Sequence, residues 1–129
     1  MNNESQVFYF ENGIPGFEHL HQFELLDLDG EIPLKIMKSK EDDITLFLAN
    51  PFFIYPDYEW DLSDSAKQEL SIQSEADIEV WSVITVPTDP ELATINLMAP
   101  LVFNVRERLG KQIILHDENY SSRAPLIPA

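Results

Sequence analysis

Nine prolines and four glycines divide these 129 residues into short pieces. Most of the pieces alternate apolar and polar residues with period two or are rich in Val, Ile, Phe and Tyr, the pattern of a pleated strand with one face buried. Residues 7–10 make a first strand, stopped by Asn12-Gly13 and a Pro15-Gly16 turn. Residues 23–28 and 34–37 make the next two, with Asp29-Gly30 suggesting a hairpin between them. Ile44, Leu46 and Leu48 alternate with Thr45, Phe47 and Ala49 as a fourth, which Pro51 ends.

The stretch 51–60 is too interrupted by proline to lie centrally in a sheet and is expected as an edge or a wrapped loop. Ser63 or Asp61 can cap a helix running through Asp64, Ala66, Lys67, Gln68, Glu69 and Leu70, with acids in its first turn. From Ile78 the strand pattern returns with both faces largely apolar, which predicts a central strand. Residues 94–98 and 101–105 follow as strands, with Pro100 bending or bulging the ladder between them. Gly110-Lys111 is expected to turn the chain into residues 112–116, and the tail 124–129 to be frayed or loosely docked. The expected architecture is all-β: a small antiparallel β-barrel-like or sandwich domain, roughly seven to nine strands with one short α-helix. One domain over 1–129 fits a chain of this length, which can bury roughly two thirds of its unfolded surface.

Composition excludes several kinds of chemistry. With no cysteine, disulfide scaffolds, thiolate zinc sites, iron–sulfur clusters and thiol nucleophiles are ruled out together. The 23 Asp and Glu against 8 Lys and Arg give a formal charge of −15, a field that repels phosphate and disfavours direct nucleic-acid binding. Every acid in excess lies before Leu101, because 101–129 balances Arg106, Arg108, Lys111 and Arg123 against Glu107, Asp117 and Glu118. A solvated surface serving solubility and a face that steers a basic partner both account for this. No apolar run approaches the ~20 residues of a membrane span, and residues 1–5 show no signal-peptide pattern, so a cytoplasmic protein without a membrane partner is expected.

No catalytic constellation can be nominated. His19 and His21 would share a strand face, but neither they nor His116 has further ligands at a metal-site spacing, so no metal is expected. Asp27-Leu28-Asp29-Gly30 and Asp42-Asp43 lack the ligand series of a calcium loop and read as turns. There is no phosphate-binding glycine loop, nucleophile elbow or zinc-protease helix, and hence no cofactor is implied. Phe52, Phe53, Tyr55, Tyr58 and Trp60 resemble a base-stacking platform, but 51–60 holds no cation and carries Asp57 and Glu59. Core lids or a protein contact explain that cluster better.

The segments Gly13-Ile-Pro-Gly-Phe-Glu18, Phe47-Leu-Ala-Asn-Pro51, Thr94-Ile-Asn-Leu-Met-Ala-Pro-Leu-Val-Phe-Asn104 and Gly110-Lys-Gln-Ile-Ile-Leu115, with Tyr120 and Arg123, resemble the flagellar assembly factor FliW family. Order and spacing agree over nearly the whole chain; Phe103 stands where an aliphatic residue is usual, and Met98 also varies. The resemblance implies a cytoplasmic, non-enzymatic β-barrel-like protein, monomeric alone, with two alternative protein partners. One is flagellin before its secretion. The other is CsrA, an RNA-binding translational repressor, whose capture releases flagellin mRNA for translation.

On that resemblance the candidate partner-binding residues are Phe17 and Glu18 together with Ile95, Asn96, Met98, Pro100, Val102 and Asn104, the latter set on an extended β edge able to present backbone groups. For Asn96 and Asn104 the competing reading is satisfaction of turn and bulge groups around Pro100. Two other functions stay open at this point: a flagellin-specific secretion chaperone without a translational role, and a small acidic hydrolase using a carboxylate pair.

Overall fold

The computed structural model describes residues 6–27 and 34–127. Nine strands are present among them: β1 (Gln6–Tyr9), β2 (Gln22–Asp27), β3 (Leu34–Ser39), β4 (Thr45–Ala49), β5 (Ile78–Thr85), β6 (Thr94–Ile95), β7 (Leu101–Asn104), β8 (Leu109–Gln112) and β9 (Ala124–Pro125). Seven of them, in the order β4-β3-β2-β1-β8-β7-β5, close on themselves through a β4–β5 pairing into a barrel, and β6 and β9 continue outward from β5. All pairings are antiparallel except β1–β8, where Tyr9 lies opposite Leu109 in parallel register.

The period-two pattern fills the barrel. Phe8, Phe10, Phe23, Leu25, Met37, Leu48, Leu101 and Phe103 point inward and are almost wholly buried. The phenylalanines meet edge to face, Phe8 on Phe103 at 5.0 Å, Phe10 on Phe23 at 5.2 Å and Phe10 on Phe103 at 5.7 Å, placing ring edges against π faces. Phe103 thus joins two rings from β1 and its flank, which explains an aromatic residue on β7. A Cβ on Gly110 would sit 2.3 Å from the Phe10 ring, so glycine in β8 makes room for the aromatic core.

That glycine was expected as a turn; the turn instead spans 105–108, where Arg108 takes φ +59° and its N–H donates to the Asn104 carbonyl. Three further expectations are corrected. Pro51 ends β4 by starting a helical turn, α1 (Pro51–Ile54), whose first N–H groups are capped by Asn50, because a proline at the first helical position loses no hydrogen bond. The strand expected over 94–98 stops at Ile95. Of the tail, residues 124–126 are docked: β9 pairs with β6, the Leu126 N–H donates to the Ala93 carbonyl, and the Tyr55 hydroxyl donates to the Pro125 carbonyl. The helix begins where its cap was expected, as α2 (Asp64–Glu69) with Ser63 accepting from the Ala66 N–H. The Asp29-Gly30 turn lies outside the described residues.

Candidate functional site

β5 organises the region that the sequence singled out. Its first half pairs with β7, Ile78 opposite Asn104 to Trp81 opposite Leu101, and its end pairs with β6, Ile84 opposite Ile95. β6 and β7 are therefore one ribbon interrupted by a five-residue excursion, 96–100, opposite Ser82 and Val83. Pro100 interrupts the ladder, as its missing N–H requires. Asn96 organises the excursion: its N–H donates to the Val83 carbonyl at 2.9 Å, and its Oδ1 accepts from the N–H groups of Met98 at 3.1 Å and Ala99 at 3.0 Å. The end of β8 and the segment after it complete the turn, with Gln112 Nε2 donating to the Ala99 carbonyl and the Leu115 N–H to the Met98 carbonyl.

Asn104 is fully buried. Its amide Nδ2 donates to the carbonyls of Leu70 at 2.7 Å and Ser71 at 3.2 Å, while Oδ1 accepts from the N–H groups of Arg106 at 2.9 Å and Glu107 at 3.0 Å. The side chain thus ties the end of α2 to the β7–β8 turn, and all its polar capacity is used within the fold. Ile95, Pro100 and Val102 are also buried. The extended edge expected over these residues is absent as well, because β7 is paired on both sides by β5 and β8, and β6 by β5 and β9. These four residues can act on a partner only by shaping what lies above them. Of the eight candidates, Glu18 is exposed and Phe17, Asn96 and Met98 are half-buried.

Phe17 and Glu18 stand apart from the β6–β7 ribbon, on the loop joining β1 to β2. Pro15 and Gly16 occupy the centre of a turn closed by the Phe17 N–H on the Ile14 carbonyl at 2.7 Å, and Gly16 supplies the required φ of +90°. The Phe17 ring packs against the barrel core. The Glu18 carboxylate accepts from the Gly16 N–H, and backbone hydrogen bonds hold its pKa below the ordinary carboxylate range.

A second cluster lies outside the barrel, on β4, β5 and β6, and was not legible as a site. Ala49, Ile84, Ile95, Leu97 and Ala124 are roofed by Tyr55, Tyr58, Trp60 and Tyr120. Tyr58 donates its hydroxyl to the Leu97 carbonyl at 2.6 Å and meets the Tyr120 ring edge on at 4.8 Å; Tyr120 exchanges hydrogen bonds with both backbone groups of Glu59. Burial pushes the Tyr58 hydroxyl far above the ordinary phenol range, so it remains a donor. The connection leading from this roof into β5 carries Asp57, Glu59, Asp61, Asp64, Glu69, Glu75, Asp77 and Glu79 against Lys67 alone, most of them exposed. Asp77 pairs with Arg106 and Glu69 with Lys111, while Asp57, Glu59, Asp61, Asp64 and Glu75 stand exposed along this covalently continuous band.

Among the described residues no group of three or more His, Asp or Glu side chains is placed to hold a metal. His21 stacks on Tyr9 and its Nδ1 lies 2.9 Å from the Phe10 carbonyl.

The family model described as FliW protein matches residues 1–126. The flagellar assembly factor FliW of Thermosipho africanus is 38% identical over 126 residues, covering 96% of this chain and 87% of that one. The flagellar assembly factor FliW of Anoxybacillus flavithermus is 41% identical over 120 residues, covering 92% and 82%. A crystal structure of the flagellar assembly factor FliW superposes with a TM-score of 0.89 at 40% identity, covering 96% of this chain and 87% of that one.

Proposed function

The chain belongs to the FliW family, a family of flagellar assembly factors and not of enzymes, and on that premise we propose that it binds flagellin and the translational repressor CsrA in alternation. Bound to CsrA, it keeps the repressor from flagellin mRNA, so that flagellin is made when free flagellin is scarce. The setting is the cytoplasm, where both flagellin before secretion and mRNA are found; among the described residues no helix is long and apolar enough to cross a membrane.

The observation that carries this reading is the acidic band over 57–79. An RNA-binding protein presents cations to phosphate, and a band of exposed carboxylates attracts the same cations and repels RNA from the complex. Association with CsrA should therefore slow as salt rises from a Debye length of ~30 Å to ~8 Å.

A domain of this size has little surface for two interfaces of ~800 Å² per partner without mutual influence. Whether the partners overlap or are coupled through the fold, linkage requires that saturating flagellin weaken CsrA binding by the same factor as CsrA weakens flagellin binding. Titration of each partner in the presence of the other tests the proposal. The expected result is reciprocal weakening; a ternary complex with unchanged affinities would overturn it.

A further inference from the structure

A cleft of about 900 Å³ lies against β5 and β7. Ile78, Val80 and Val102, on the paired strands β5 and β7, form its apolar floor, and Phe52, Trp60 and Ile72 add to the apolar lining. Phe52 is 41% exposed and so is open to a ligand in the cleft. The mouth bears Asp61, Glu75 and Glu79 against Lys67, within the acidic band already described. Glu79 is partly neutralised, since it accepts from the Trp81 indole N–H at 2.8 Å and lies 3.9 Å from Lys35; Asp61 and Glu75 have no ion-pair partner among the described residues.

We propose that this cleft is a docking site for a partner segment that carries an aliphatic or aromatic anchor flanked by lysine or arginine. The apolar floor sits on two barrel strands and so is preformed, which lowers the ordering cost of seating an anchor. The neighbouring carboxylates select the flanking charge, and the Phe52 and Trp60 rings offer faces on which a cation can rest. An acidic segment would be repelled at the mouth, and a polar one would leave the floor's desolvation unused. This deepens the functional reading above, since it gives one partner's contact segment a seat, and it rests on that reading for the identity of the partner but not for the chemistry of the cleft.

The probe is an amidated helical peptide of leucine and lysine with its leucines on one face, compared with the same peptide carrying glutamate for lysine. Trp60 and Trp81 are the two tryptophans of the chain and both line the cleft, so intrinsic fluorescence reports the site directly. The lysine peptide should change the tryptophan emission saturably, and the glutamate peptide should not. The double variant Asp61→Lys, Glu75→Lys should weaken lysine-peptide binding by about tenfold, whereas Glu11→Lys, Glu118→Lys, with the same change of net charge elsewhere, should weaken it by less than about threefold. Phe52→Ala should weaken it further with both double variants keeping the parent melting curve. Equal losses in the two double variants, or saturation without a change in tryptophan emission, would overturn the proposal. Flagellin and CsrA binding, measured separately, can fail without affecting these results.

Discussion

The barrel interior and the roofed cluster outside β5 are both built on aromatic side chains, but on different ones. Inside, four phenylalanines pack edge to face with no polar atom to satisfy. Outside, three tyrosines cover a smaller apolar set, and each hydroxyl is fixed to a backbone group far away in sequence: Tyr55 to Pro125, Tyr58 to Leu97 and Tyr120 to Glu59. The interior is held by shape and area removed from water. The roof is held at points, each joining loop to strand or loop to loop. The tethers fix loop position through groups on the inner side of each loop, which leaves the outward faces without a part in holding the fold.

Substitutions that remove one kind of support at a time test the contrast. Phe103→Ala removes the ring against which Phe8 and Phe10 pack, and should cost about 3–5 kcal/mol in urea unfolding, the range for a large aromatic taken from a well-packed core. Asn104→Ala leaves a buried carbonyl at Leu70 and two unpaired N–H groups, at a cost of about 2–3 kcal/mol. Partner binding measured at a temperature where the variant is folded should then change less than stability does. If binding falls while the melting temperature holds, Asn104 belongs to an interface after all. Tyr58→Phe keeps the ring and removes only the donor to Leu97, and should cost about 1–2 kcal/mol; a loss as large as that of Phe103→Ala would erase the distinction between shape and tether.

Glu41 gives the smallest effect. Its Oε1 accepts from the N–H groups of His21 at 2.6 Å and Gln22 at 2.8 Å, and these bonds lower its pKa. A lowered folded-state pKa means that its stabilisation is complete above the unfolded carboxylate value of ~4.3 and is lost as pH falls through the folded value. Glu41→Gln should therefore flatten the acid side of the melting temperature against pH and leave the curve above pH ~6 parallel to the parent's.

Part of the interior was legible because strand periodicity is local. Phe23 and Leu25 can be assigned to a buried face from Gln22 and Glu24 beside them, whereas Phe8 and Phe103 lie in runs apolar on both faces, where period two does not choose a side. Ser63 as a helix cap and the Pro15-Gly16 turn were legible for the same reason, since each acts within three residues. Barrel against sandwich was not, because the choice turns on β4 meeting β5 across the 28 residues that separate Ala49 from Ile78. Asn96 and Asn104 show the boundary most sharply. They are the same residue type eight positions apart, yet one organises its own turn and the other serves Leu70, more than thirty residues earlier. Gly110 was misread because glycine commonly marks turns, whereas here the Phe10 ring a hundred residues away forbids a side chain.

The parallel bridge of Tyr9 to Leu109 has a consequence in time. During synthesis β1 and β2 emerge early and can form their hairpin at once, but the other side of β1 has no strand to meet until β8 has been made. Closing a loop of about a hundred residues costs entropy before any contact rewards it, and folds dominated by such pairings form in milliseconds to seconds. Until then the phenylalanines of β1 and β2 face an open trough, so the newborn chain passes through an interval in which its core is the most adhesive surface it has.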